Sequence, residues 1–274
     1  MVDYAKALRK GLKFGIEPKR WLQFFIVDIV FILIALGIGF TTIPQLLALM
    51  QSTPQSIDAA MSMASLAGYF VALFVVWILI RLWLAGSMIR QSFKESEMIS
   101  KSLKFGANKY LSILLATIIV AVISIIVGIV PYVGWIFSII IALVFFFFMQ
   151  GIVVDKMGFA TTLESSWKIF KKKPLQVFIS WLLITIVTLA IYFIFSIPAG
   201  IILLWIVMPI IPFGGANLPQ NEFFNLLMQA LQTNPAGVII GFAILLIGFA
   251  VATTFALKAQ TEFYQEFKKK FKWF

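Results

Sequence analysis

The chain has 274 residues, of which 62% are hydrophobic and only 12% are charged, and its formal net charge is +11. A soluble protein of this composition would expose too much apolar surface to stay dispersed, so the composition predicts an integral membrane protein. Cysteine and histidine are both absent. Their absence excludes disulfides, thiolate nucleophiles, Cys/His zinc sites and catalytic triads that use an imidazole base.

Six apolar segments each approach or exceed the roughly 20 helical residues needed to cross about 30 Å of hydrocarbon. Helix is expected because a span in lipid must satisfy its own backbone hydrogen bonds. The predicted spans are Trp21–Ile43, Ser65–Ile89, Tyr110–Val130, Gly134–Val154, Leu175–Phe195 and Ala236–Leu257. The predicted fold class is therefore an all-α integral membrane protein, with residues 1–274 forming a single polytopic membrane domain. Because an amphipathic segment precedes the first span, we expect insertion without a cleavable signal peptide.

The basic residues indicate the orientation of these spans. All 22 Lys and Arg residues can be placed on one side of the membrane, because all except Arg81, which lies within the second span, cluster before, between and after alternate spans. The intervening segments Thr41–Ser65, Pro131–Trp135 and Pro209–Pro235 contain neither residue. Because Lys and Arg resist translocation, both termini are predicted to be cytoplasmic in a multi-pass protein of the cell membrane.

A short sequence recurs ahead of the spans. Lys10–Gly15 (KGLKFG) is repeated as Lys101–Gly106 (KSLKFG), and Ser166–Phe170 (SWKIF) is a weaker third copy. Such self-similarity is typical of repeated supersecondary units, which are common in transporter folds. We predict three units, each a cytoplasmic amphipathic helix followed by a transmembrane hairpin. The units cover approximately residues 3–96, 97–157 and 158–274.

The cytoplasmic segments are amphipathic. Tyr4, Leu8 and Leu12 fall at helical spacing with basic residues opposite, and Glu164 and Lys168 form a favourable i,i+4 pair. The tail carries a phenylalanine stripe, Phe263, Phe267, Phe271 and Phe274, flanked by lysines. We expect these helices to lie in the inner interface, with aromatic rings in the acyl boundary and lysines among phosphates. They either only orient and brace the spans, or recruit anionic lipid or a partner.

The membrane lipids expected as partners would contact these lysines through anionic headgroups on the cytoplasmic side. The candidate contacts are Lys10, Lys13, Lys101, Lys104, Lys168, Lys171, Lys172, Lys173, Lys268, Lys269 and Lys270. Nucleic acid is not an expected partner, because the cations adjoin the spans and form no basic domain.

Asp28 and Arg81 are the charges predicted to lie well inside the spans, each about 10 Å from the cytoplasmic end of its helix. An unpaired charge in mid-membrane costs at least about 2.5–3.5 kcal/mol, so we predict that the two side chains pair or face a water-filled recess. The pair is either purely structural, or part of a polar site for a lipid headgroup or an anion.

The segment after the fifth span is the least regular. Pro198, Pro209 and Pro212 predict a kink, or an exit followed by a segment in the outer interface. Asn221–Thr233 is predicted to form a short amphipathic helix on the outer surface.

No catalytic, cofactor-binding or metal-ligating residue is predicted, and an enzyme is not expected. Asp28 is the one acid placed within a span, whereas aspartyl intramembrane catalysis requires a second buried carboxylate. Phosphoryl transfer usually needs a metal-binding cluster of carboxylates, which the sequence does not predict.

Residues Asp155–Leu175 (DKMGFATTLESSWKIFKKKPL) contain an acidic residue after a span, a short helix with a Ser-Trp pattern, a basic patch and the next span. This arrangement resembles uncharacterised prokaryotic six-span membrane proteins related to the membrane domain that accompanies some glycerophosphodiester phosphodiesterases. The resemblance implies the six-span fold, a prokaryotic plasma membrane and a lipid context. The phosphodiesterase domain is absent, so no catalytic residue is carried over.

These observations favour a non-enzymatic polytopic membrane protein that engages lipids through its inner-leaflet helices and a polar recess. A transporter or channel for a small solute is the alternative, although the spans contain few polar residues to line a hydrated pore. A scaffold subunit of a membrane complex, with a protein partner or a second copy of the chain, is the other alternative.

Overall fold

The computed structural model describes residues 2–52, 57–208, 226, 229–230 and 233–271, without the side chains of 40, 43–60, 62 and 270–271. Regular structure in this part of the chain is helical throughout. The helices are α1 (Tyr4–Gly15), α2 (Pro18–Ser52), α3 (Ile57–Phe93), α4 (Ile99–Gly128), α5 (Gly134–Val144), α6 (Phe148–Val154), α7 (Phe159–Lys172), α8 (Pro174–Val207) and α9 (Pro235–Phe271).

Six helical segments of the described chain are long and apolar enough to cross a membrane. They lie in α2, α3, α4, the α5–α6 pair, α8 and α9. The prediction of an all-α protein with six spans is confirmed.

The three-unit repeat stays a prediction. In its second unit the Lys101–Gly106 segment is not a separate amphipathic helix, because it forms the first turns of the continuous helix α4.

Helix α9 is the centre of the packing and extends well beyond its predicted span. Phe255, Ala259, Phe263 and Phe267 follow one another at helical spacing, and each is completely buried. The ring of Phe263 lies 5.7 Å from that of Tyr4 on α1. The predicted position of Phe263 and Phe267 in the acyl boundary is therefore wrong: they pack inside the protein. Phe271 and Phe274 lie outside the residues whose side chains are described.

Helix α1 packs directly on this part of α9. Its buried residues include Ala7, Gly11 and Phe14, whereas Leu12 is 39% exposed, so the predicted Tyr4–Leu8–Leu12 face is rotated relative to the real one. A Cβ added at Gly11 would lie 3.0 Å from side-chain atoms of α9, so glycine permits the close approach. The basic repeat segments thus serve helix packing as well as carrying charge.

The fourth span is interrupted. The helix stops at Val144 and resumes at Phe148, although the sequence predicts one continuous apolar span. Side chains from α7 and α9 satisfy backbone groups around the gap. Ser166 donates to the Val144 carbonyl oxygen at 2.8 Å and accepts from the Phe147 N–H, and Gln260 donates to the Phe146 carbonyl oxygen. Irregular backbone inside a span is tolerated where protein groups pair with it in this way.

Helix α8 continues through Pro198 and ends at Val207. At 1.5 Å per residue its 34 residues measure roughly 51 Å, longer than the hydrocarbon core, so the helix either tilts or projects beyond it. Pro209, Pro212 and the predicted outer helix Asn221–Thr233, apart from a few of its residues, lie outside the described residues.

Candidate functional site

Asp28 and Arg81 meet where α2 and α3 pack together inside their spans. One guanidinium nitrogen of Arg81, Nη1, donates to both carboxylate oxygens of Asp28 at 3.0 Å. The indole N–H of Trp77 donates to the same carboxylate at 2.8 Å, and the Asp28 side chain is 2% exposed. The structure therefore brings the two predicted charges together and adds a third partner, Trp77, that the sequence analysis did not include.

The guanidinium of Arg81 is enclosed by helix α9 and by aromatic rings. Its other terminal nitrogen, Nη2, donates to the hydroxyl of Thr253 on α9 at 3.0 Å. The guanidinium carbon lies 4.3 Å from the centroid of Phe249 and 5.1 Å from that of Phe24. Cation–π contacts of this kind stabilise a desolvated guanidinium. Arg81 on α3 is consequently held by side chains of two other helices, α2 and α9, and Asp28 orients it.

An apolar groove of about 510 Å³ begins at this pair. It lies between α2, α3 and α9, and we call it the α2–α3–α9 groove. Its lining residues are Asp28, Phe31, Ile32, Ala35, Phe70, Val71, Leu73, Phe74, Trp77, Leu246 and Phe249. A mostly apolar cavity of this volume with a few polar groups at one end is typical of sites for apolar ligands.

The groove is open because the second half of α2 and the first half of α3 do not pack closely on each other. Among the described residues, none would come within 4 Å of a Cβ added at Gly37 of α2 or at Gly68 of α3. Val71 and Phe74 on its rim are 63% and 57% exposed. In a membrane, these residues would face acyl chains rather than water.

A second polar layer lies at the end of the bundle where α1, the α3–α4 connection and the end of α9 meet, which we call the basic end. Lys258 is 2% exposed and donates to the Ser92 carbonyl oxygen at 2.7 Å. Its ammonium also pairs with Glu95 and, at 2.7 Å, with Glu262. This group was not predicted from the sequence, although the i,i+4 spacing of Lys258 and Glu262 is a signal for a helical ion pair.

Arg20 belongs to the same polar layer and was also not predicted from the sequence. Its side chain is buried, donates to the Gln91 side-chain oxygen at 2.9 Å and donates to the backbone oxygen of Glu95 at 2.9 Å. The ring of Phe14 lies 4.8 Å from its guanidinium carbon. These contacts join α1, α2 and α3, so we assign Arg20 and Lys258 to the packing of the basic end.

Lys10 and Glu97, which lie outside the spans at the basic end, have displaced pKa values. The hydrogen bond and charge of Glu262 raise the pKa of Lys10, whose ammonium lies 2.8 Å from that carboxylate. The hydrogen bonds that Arg90 donates at 2.8 and 3.0 Å lower the pKa of Glu97. Both shifts reflect ion pairs between helices or across the α3–α4 connection.

The candidate lysines divide into groups. Lys10, Lys168 and Lys268 form ion pairs with Glu262, Glu164 and Asp155. The exposed candidates at this end of the bundle are Lys13, Lys101, Lys104, Lys171, Lys172 and Lys269, and Lys173 is half-buried. The side chain of Lys270 lies outside the described residues.

The chain was compared with known proteins. No protein-family model matches it, and neither the curated proteins nor the solved structures provide a match. The resemblance of Asp155–Leu175 to the six-span proteins related to phosphodiesterase membrane domains therefore stays a prediction.

Proposed function

We propose that this six-span protein is a non-enzymatic lipid-binding protein of the cell membrane. The observation that carries the proposal is the α2–α3–α9 groove, an apolar cavity of about 510 Å³ within the span region. Its walls suit a hydrocarbon chain, and Asp28 and Trp77 offer a polar end to the ligand. A lipid is the apolar molecule that a laterally open groove in a bilayer meets at the highest concentration.

Filling the groove tests this proposal. Ala35 lines it, so Ala35→Phe places a ring in the space that the chain would occupy. Leu33→Phe is the matched control, because Leu33 lies on the same helix and is 54% exposed. We expect lipid retained after purification in mild detergent, counted by native mass spectrometry, to fall at least tenfold in Ala35→Phe only. Equal retention by both variants would contradict the proposal, provided that both unfold at the wild-type temperature.

The exposed lysines of the basic end support a second contact with lipid. Lys101 and Lys104 are exposed on the first turns of α4, where anionic headgroups would lie if this end faces the inner leaflet. Each basic residue near such a surface contributes about 1 kcal/mol of attraction. The double change Lys101→Gln and Lys104→Gln should lower retention of phosphatidylglycerol over phosphatidylcholine several-fold. Ser100→Gln, on the same exposed turn, should leave that ratio unchanged.

The interrupted fourth span favours transport as a second candidate function. Discontinuous helices contribute to the substrate sites of many transporters. Gln150, two residues beyond the start of α6, is fully buried, and its amide has no hydrogen-bond partner among the described residues. Transport would be supported if proteoliposomes with the wild-type protein take up a small solute saturably and the Gln150→Met variant takes up less. Uptake no greater than that of empty liposomes across a solute panel would exclude this candidate for those solutes.

A further inference from the structure

The polar end of the α2–α3–α9 groove offers a ligand hydrogen-bond acceptors and no free donor among the described residues that line it. Asp28 and Trp77 line the groove, whereas Arg81 is not among the described residues that line it. The single N–H of Trp77 is already donated to Asp28. Of the two charged groups of the pair, the one that lines the groove is therefore the carboxylate of Asp28.

That carboxylate has acceptor capacity left. An ionised carboxylate offers about four lone-pair positions. In Asp28, Oδ1 accepts from both Trp77 and Arg81, whereas Oδ2 accepts from Arg81 alone. Oδ2 can accept one further hydrogen bond, so the ligand group that complements it is a hydrogen-bond donor.

The charge balance indicates which donor fits. The carboxylate of Asp28 is neutralised by Arg81 at 3.0 Å, so an ammonium group in the groove would find no unpaired counter-charge. A carboxylate or phosphate group would approach Asp28 as a like charge. Either ion would also lose its hydration at this depth, about 10 Å along α2 from Trp21. A neutral hydroxyl supplies the donor without these costs.

The groove extends from this end along both helices. From Asp28 to Ala35 on α2, and from Trp77 to Phe70 on α3, the lining runs for seven residues, or about 10 Å. Aromatic and aliphatic side chains form the walls over this length. The walls therefore suit the part of a hydrocarbon chain next to a polar end at Asp28, and the rest of a longer chain would extend into the bilayer.

We propose that the groove selects a long-chain lipid alcohol, whose hydrocarbon chain fills the groove and whose neutral hydroxyl donates to Oδ2 of Asp28. This inference rests on the proposed lipid-binding function and narrows its ligand class. It differs from the anionic lipid expected from sequence, since the cation of the pair is not among the described residues that line the groove.

A ligand series with the wild-type protein tests the proposal without depending on a variant. The protein in phosphatidylcholine nanodiscs is labelled with a photoactivatable 16-carbon alcohol, and the crosslinked residues are mapped by peptide mass spectrometry. Hexadecanol, its methyl ether and hexadecanoic acid are then compared as competitors. The ether keeps the chain and an oxygen but has no hydrogen to donate, and the acid is anionic when ionised.

We expect labelling on the groove-lining residues of α2, α3 and α9, with hexadecanol competing at least tenfold better than the ether or the acid. Equal competition by alcohol and ether would overturn the hydroxyl preference but leave chain binding intact. Stronger competition by the acid would instead assign the site to anions. Labelling that misses the groove, or that persists in Ala35→Phe, would contradict both this inference and the proposed function on which it rests.

Discussion

The hydroxyl of Ser166 on α7 donates a hydrogen bond to the carbonyl oxygen of Val144, the last residue of α5, at 2.8 Å. The same hydroxyl accepts from the N–H of Phe147 at 3.2 Å. One side chain thus pairs with an acceptor and a donor that the gap between α5 and α6 leaves without helical partners. This contact joins α7 to the interrupted span.

Ser166→Ala should therefore destabilise the protein. The change leaves a buried carbonyl and a buried N–H without the hydroxyl, and losing a partner of a buried polar group costs about 1–3 kcal/mol. Thermal unfolding in detergent, followed by circular dichroism, measures the effect. Ser165→Ala, at the neighbouring half-buried position, is the matched control and should melt close to wild type. Indistinguishable melting of the two variants would show that the contact does not support the gap.

The Asp28–Arg81 pair should behave as a unit. Arg81→Leu leaves a buried carboxylate without its cation, and breaking a buried pair in this way costs about 3–5 kcal/mol. Asp28→Leu combined with Arg81→Leu removes both charges, and we expect it to recover most of the lost stability. Unfolding of the two variants and wild type in one detergent gives the comparison. A double variant as unstable as the single one would mean that aromatic packing around Arg81, rather than charge pairing, dominates.

The glycine of the second repeat segment should be intolerant of a side chain. A Cβ at Gly106 would lie 2.1 Å from the Ser87 hydroxyl oxygen and 3.1 Å from backbone atoms of α3. Gly106→Ala should destabilise the α3–α4 packing by about 1–3 kcal/mol through overpacking.

Gly37→Ala is the control, because its Cβ would meet no described atom within 4 Å. In a helix this change should be neutral or slightly stabilising, since alanine is the better helix former. Equal effects at Gly37 and Gly106 would contradict the packing account.

The Arg90–Glu97 pair should make stability depend on pH. Because Arg90 lowers the pKa of Glu97 in the folded protein, the folded state favours the ionised carboxylate. This contribution to the free energy of unfolding is fully present above the glutamate pKa of about 4.3 in the unfolded chain. It is lost as the pH falls through the lower pKa of Glu97 in the folded protein. At pH 7 the wild type should melt at a higher temperature than the Glu97→Gln variant, and the difference between the two melting temperatures should shrink below about pH 4.

Melting curves between pH 7 and pH 3 check this sign. Glu164→Gln is the control, since Glu164 and its partner Lys168 are largely exposed and such a pair contributes little. A Glu97→Gln difference that grows as the pH falls would contradict the assignment.

Local patterns predicted several features well. Hydrophobic length alone indicates the six spans, because crossing the hydrocarbon core requires a set number of helical residues. The i,i+4 spacing predicts the Glu164–Lys168 pair, which the structure has at 2.6 Å. Equal depth in adjacent helices predicts that Asp28 and Arg81 meet, because an isolated charge is costly there.

Other features depend on residues far apart in the chain. The run of phenylalanines around Phe147 predicts a continuous apolar helix. In the structure the helix is interrupted there, and Ser166 and Gln260 form hydrogen bonds with the backbone of the gap. Gln260 lies 114 residues from its partner Phe146. Phe263 and Phe267 match an interfacial stripe in sequence, yet they are buried because α1, α8 and Phe147 from the gap between α5 and α6 pack around this part of α9. Spacing along one helix cannot report which neighbours cover it.

The amino-acid sequence by itself thus determined that the chain forms six helices long and apolar enough to cross a membrane, because the length and apolarity of each span act locally. Only the tertiary structure decided that Asp28 of this pair, and not Arg81, is among the described residues that line the α2–α3–α9 groove. The physical reason is that the groove exists where three helices from opposite ends of the chain fail to close on one another. Its chemistry follows from side-chain directions that only the packed helices define.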